Sequence, residues 1–150
     1  MDIRRSVQQG NRRDKVMELK MPVDQPRFDK MAVAYTAAWN SGNPEAVADH
    51  YAPGKGITIN RGENQFGREE MVAMAAGFMG SFRDLKLTCD FTRLAGDHAV
   101  FGWTLEGHHA ETGNFVRASG WEEWDLDDDC RVTNSLGWFD GVDYERQVAG

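Results

Sequence analysis

A chain of 150 residues with a net charge of −7 has the length of one domain with one core, and too little for two. Its 41% hydrophobic and 27% charged residues match an ordinary soluble domain, and no apolar run reaches the roughly eighteen residues that argue for a membrane span. The body is acidic and has no basic stripe interleaved with aromatics, which argues against nucleic acid as a partner.

Residues 1–25 are polar, carry Arg4-Arg5 and Arg12-Arg13, and run into Pro22 and Pro26. They read as a flexible arm or one that packs on a partner subunit, ahead of a single domain over 26–150. The first ten residues lack the apolar stretch of a secretory signal. Cys89 and Cys130 have no metal-ligand spacing and are too few for a disulfide framework. Free thiols and a cytoplasmic location are therefore expected.

From Phe28 the pattern is helical, with Phe28, Met31, Ala32, Tyr35, Ala38 and Trp39 on one stripe, ending at Ser41-Gly42. Asn43-Pro44-Glu45 then supplies N-cap, first-turn proline and first-turn acid for a short helix bearing Val47, Ala48 and Tyr51, broken by Pro53-Gly54. Gly56 to Asn60 alternates like a strand into an Arg61-Gly-Glu-Asn64 turn. A third helix is predicted from Arg68 to about Phe82, its apolar face including Met71, Ala75 and Phe78. The rest alternates as strands over 85–91, 99–109, 116–126 and 132–140, with polar turns between them. Helices followed by antiparallel hairpins indicate α+β, with helices on one face of a curved sheet.

The chain has no P-loop, no Gly-x-Gly-x-x-Gly and no Gly-x-Ser-x-Gly. His108 and His109 are adjacent on a strand, so their rings point to opposite faces and cannot share a metal. Neither metal nor cofactor is expected. On the same strand Phe101, Trp103, Leu105 and His109 form the aromatic face. His109 is thus the histidine with access to an interior, either as a catalytic group or as a half-buried ring bonded to a turn.

Three further candidates are acids. In Gly120-Trp121-Glu122-Glu123-Trp124, parity sends Glu122 with Trp124 and Glu123 with Trp121, so one glutamate faces inward, and the sequence does not say which. Asp140 shares a face with Val132, Asn134, Leu136 and Trp138. It is either a desolvated general base or an aspartate that caps the chain before Gly141. Tyr35, Trp39, Tyr51, Phe78, Phe82, Trp103, Trp124 and Trp138 are candidate lining residues for a pocket, although aromatics also simply fill cores.

Tyr35-Thr-Ala-Ala-Trp39-Asn-Ser-Gly-Asn43-Pro, Tyr51-Ala-Pro, Phe66-Gly67-Arg-Glu-Glu, Trp103-Thr-Leu-Glu-Gly107-His-His109 and Trp138-Phe-Asp140 with Arg146-Gln147 together resemble the SnoaL-like branch of the nuclear-transport-factor-type superfamily. The resemblance spans about residues 27–148. It implies a cone of strongly curved antiparallel sheet closed by three N-terminal helices, an interior pocket and a homodimer. It also implies a cofactor-independent cyclase or isomerase acting on a small apolar or aromatic metabolite, with Asp140 as the matching general base and His109 at the end of the Gly-x-His segment. His109 or the inward glutamate would then stabilise the enolate. A non-catalytic ligand-binding or dimerisation domain is the rival expectation. An epoxide hydrolase ranks last, because it needs two carboxylates bridged by an arginine, for which Arg93 and Arg117 are the strand-borne candidates.

Overall fold

The computed structural model describes residues 22–150, so most of the expected N-terminal arm lies outside the described residues. Helix α1 (Gln25–Asn40) starts where Asp24 accepts the Arg27 backbone N–H at 2.9 Å with Pro26 in the first turn. Its buried residues are the six of the predicted stripe, Phe28 through Trp39. Asn43 caps the short α2 (Pro44–Ala48), which buries Val47 and Ala48.

Tyr51 lies on a strand rather than on α2. The chain turns extended directly after His50 as β1 (Tyr51–Ile59). Pro53 and Gly54, expected to end a helix, sit inside this strand where its register shifts between Tyr51 and Gly56, a bulge that tolerates a missing N–H. Strand β2 (Asn64–Phe66) folds back so closely that a Cβ on Gly56 would lie 1.8 Å from the Gln65 carbonyl oxygen, which leaves room for glycine only. Helix α3 (Arg68–Gly80) follows and stops two residues short of Phe82.

Strands β3 (Lys86–Ala95), β4 (His98–His108), β5 (Phe115–Leu126) and β6 (Val132–Phe139) then form a meander, and the six strands order as β2-β1-β6-β5-β4-β3. The sheet is open and mixed, because β1 runs parallel to β6 while every other pair is antiparallel. Parallel neighbours need a long crossover, and here nearly the whole domain connects them. Register shifts in β1, β3 and β5 mark irregularities of the kind that bend and twist strands. The expected α+β architecture is present, with one parallel pair in the sheet and a fourth helix beyond the three expected.

That fourth helix, α4 (Gly141–Ala149), is short and has no fully buried residue. It docks on the start of β5 through Gln147, whose amide accepts from the Arg117 N–H at 2.7 Å and donates to the Arg117 carbonyl at 2.9 Å. Between sheet and helices the core centres on Trp124, which stacks on Phe101 at 5.2 Å and meets Tyr35 and Phe28 edge-on at 4.9 and 6.0 Å. Among the described residues no helix is long and apolar enough to cross a membrane.

Phe28 is fully buried and lines neither of the two cavities described below. Phe28→Ala is therefore expected to cost about 3–5 kcal/mol, measured as a lower midpoint of urea unfolding at unchanged slope.

Candidate functional site

The register of the sheet decides which acid looks inward. On β5, Glu122 stands opposite Phe101 of β4 and Gly137 of β6, whereas Glu123 stands opposite Leu136, and Trp121 opposite Trp138. Directly opposed residues share a face, so Glu122 belongs to the helix-covered face with Phe101. The face of Leu136 and Trp138 is the other one. Glu122 is 7% exposed, and Glu123 is only half-buried.

Glu122 borders an interior cavity of about 60 Å³, several times the ~10–15 Å³ that one water needs. Phe101, Trp103 and Leu105 of β4, Ile57 and Ile59 of β1, and Gly137 and Phe139 of β6 form its floor and sides. Trp39 of α1, Met74 and Phe78 of α3 and Tyr144 of α4 cover it. Glu122 is the sole carboxyl in an otherwise aromatic and aliphatic wall, and its pKa is pushed up from the ordinary 4.5 to about 8. Loss of hydration on burial is the larger cause, opposed in part by a hydrogen bond from Tyr35.

Behind this carboxyl runs a buried polar chain. The Tyr35 hydroxyl donates to Glu122 Oε1 at 3.4 Å and lies 3.2 Å from the Tyr51 hydroxyl. Ser135 Oγ, also buried, accepts the Trp124 indole N–H at 3.0 Å. Burial holds both tyrosines well above their ordinary pKa, so they stay neutral donors.

Of the expected lining aromatics, Trp39, Phe78 and Trp103 border the cavity, and Trp138 reaches its edge between Gly137 and Phe139 although its strand parity is that of the outer face, where Arg61 lies over its ring. Tyr35, Tyr51 and Trp124 sit one layer behind it, and Phe82 packs between His109 and Tyr144. His109 lies past the end of β4, half-buried, where its Nδ1 accepts from the Thr112 N–H at 3.4 Å. That is the turn-bonded alternative, and it keeps the ring off the cavity wall.

Asp140 takes the capping role. It is exposed, outside the cavity lining, and its carboxylate accepts the Asp143 N–H at 2.9 Å as the N-cap of α4. The physical reason is parity: its strand face is that of Trp138 and Leu136, opposite to Glu122, and the chain then turns into a helix whose first N–H groups need an acceptor. Tyr144 escaped the sequence reading because α4 has too few apolar positions to show a period. Phe101 stood on the aromatic face without being singled out as lining.

A second cavity, about 230 Å³, opens between α2, β1 and α3 beside Arg68 and Arg131. It is larger, but its arginines are already paired, Arg68 with Asp49 at 2.8 Å and Arg131 with Asp127 and Asp129, and its one perturbed lining group is Tyr51, whose hydroxyl is bonded to Tyr35. Among the described residues no three His, Cys, Asp or Glu side chains stand together as a metal site.

Glu122 also ties stability to pH. Between about pH 4.5 and about pH 8 the unfolded chain releases the proton that folded Glu122 keeps, so raising the pH through that window lowers stability. Glu122→Gln should flatten this part of the profile and leave the variant the more stable protein at pH 8, read from melting temperatures between pH 4.5 and 8.5.

The SnoaL-like domain family matches residues 32–134, and no curated protein sequence matches the chain. Among solved structures, the fold is similar to a Catenulispora acidiphila protein with a ketosteroid isomerase-like fold in complex with trimethylamine. That likeness has 18% identity and a TM-score of 0.72 over 79% of this chain and 92% of that one. A polyketide-cyclase-like protein of Xanthomonas campestris pv. campestris is similar at 18% identity and a TM-score of 0.73, covering 83% and 98%. TerC, co-crystallised with polyporic acid, is similar at 16% identity and a TM-score of 0.69, covering 82% and 99%. At such identities the structures speak for the fold alone, whereas the family match runs from the middle of α1 into β6: this chain belongs to the SnoaL-like domain family.

Proposed function

We propose that this protein takes a small, largely apolar, carbonyl-bearing molecule into its interior cavity and carries out acid/base chemistry on it without a cofactor. Glu122, not Asp140, is the proton-transfer group in this reading. The observation that carries it is the lone buried carboxyl on an aromatic wall with a pKa of about 8. A carboxyl so placed is near its midpoint at neutral pH, where a general acid/base is most effective. Ionised, it takes an acidic C–H proton from the carbon beside the carbonyl. Protonated, it returns that proton at a second carbon or to the developing oxyanion. Isomerisation and aldol-type cyclisation share this first step.

Support comes also from the fold relatives, which include a polyketide-cyclase-like protein and proteins crystallised with small organic molecules. The cavity lining holds one carboxyl and no arginine, which disfavours epoxide opening by two bridged acids. In the rival reading the cavity binds a metabolite without turning it over.

The same proposal includes a homodimer and a cytoplasmic setting. The sheet face away from the helices exposes Trp121 at 42% and Phe115 at 52%, sizeable apolar groups for a partner copy to cover. Cys89 and Cys130 are free thiols, in keeping with a reducing compartment. A dimer mass in solution that falls to a monomer in Trp121→Asp is the expected result from light scattering.

With a compound found by thermal-shift screening of aromatic and polyketide-like metabolites, Glu122→Gln is expected to lose at least about a hundredfold in kcat. Asp140→Ala should keep activity within a few-fold and lose about 1 kcal/mol of stability, the usual cost of an N-cap. Equal turnover in wild type and Glu122→Gln would sink the enzymatic reading.

A further inference from the structure

The polar chain behind Glu122 has a direction. An indole N–H donates and never accepts, so Trp124 must give its hydrogen to Ser135 Oγ across their 3.0 Å contact. Tyr35 has a single hydroxyl proton, and it goes to Glu122 Oε1 at 3.4 Å. In the 3.2 Å contact between the two tyrosine hydroxyls, Tyr51 is then the donor and Tyr35 the acceptor.

The far end of the chain is equally constrained. Among the described residues no side-chain oxygen or nitrogen is both sealed from solvent and without a partner. Glu122 Oε2 has no described protein partner, so it opens onto the cavity that Glu122 borders. We propose that Tyr51 and Tyr35 form a directional donor chain ending on Glu122 Oε1, which leaves Oε2 as the atom that gives or takes the proton at the cavity. Tyr35 and Tyr51 are then positioning residues. The inference rests on Glu122 as the pocket acid and deepens that reading by naming the reactive oxygen and what orients it.

Other titratable groups near the carboxyl are few. Tyr144 of α4 lines the same cavity, and His50 meets the Tyr35 ring edge-on at 5.5 Å. Burial raises the Tyr144 pKa and lowers that of His50, so neither changes charge between pH 7 and 9.

The test follows the carboxyl itself by ¹³C NMR of protein labelled at the glutamate side-chain carbon, titrated without substrate, with Glu122→Gln assigning the signal. Removing a donor from an ionised carboxylate raises its pKa. Tyr35→Phe should therefore raise the Glu122 midpoint by roughly one pH unit, and Tyr51→Phe should raise it by less. A merely structural role would lower melting temperatures and leave the midpoint in place. If Tyr35→Phe fails to fold, Tyr51→Phe decides. Folded variants whose Glu122 midpoint is unchanged or lowered overturn the proposal. Because the readout needs no turnover, it stands apart from the activity test of Glu122→Gln.

Discussion

A carboxyl group held almost dry in the middle of the sheet is the constraint that the rest of this structure accommodates. Glu122 lies on β5, with β4 and β6 on either side of it, and is 7% exposed at the border of the cavity. Charging it there is costly, and the folded protein responds by keeping the proton to a higher pH. Such a group is tolerable when it is neutral and bonded. The buried Tyr35 and Tyr51 hydroxyls supply bonds that an aliphatic core could not. Functional sites concentrate perturbed groups of this kind because proton transfer near neutral pH needs a pKa near neutral.

Two acids of similar promise in the sequence have opposite tasks in the fold. Glu122 and Asp140 lie on adjacent strands or their ends, but the antiparallel register pairs Glu122 with Gly137 and so leaves the parity class of Asp140 on the far face. The capping bond of Asp140 starts α4, and α4 brings Tyr144 over the cavity and fastens itself to β5 through Gln147. Asp140 thus helps hold the pocket's cover in place, while Glu122 lies inside the pocket.

Much of this was legible beforehand, and the reasons are particular. The stripe from Phe28 to Trp39 has a period of three and four with caps at both ends, so local rules and tertiary packing agree and α1 appears as expected. The strand alternation around Phe101 and Trp124 likewise survives because one face is buried. Where the reading departed from the structure, a long-range partner overrode a local signal. Tyr51 reads as helical on spacing, and parallel pairing with Val132 draws it into β1. Pro53-Gly54 reads as a break, and the strand absorbs it as a bulge.

By itself the sequence determined the α+β class, the order of helices and hairpins, the family resemblance, and the pair of glutamates from which one had to face inward. Local periodicity and turn chemistry carry that information, since each depends on residues a few positions apart. Tertiary structure alone decided that Glu122 is the inward acid, that Asp140 caps a helix, and that Tyr35, Tyr51 and Trp124 stand behind the cavity rather than on its wall. The physical reason is register: side chains alternate with a period of two, so a one-residue choice in how β5 meets β6 exchanges every inward residue for an outward one, and only the assembled sheet makes that choice.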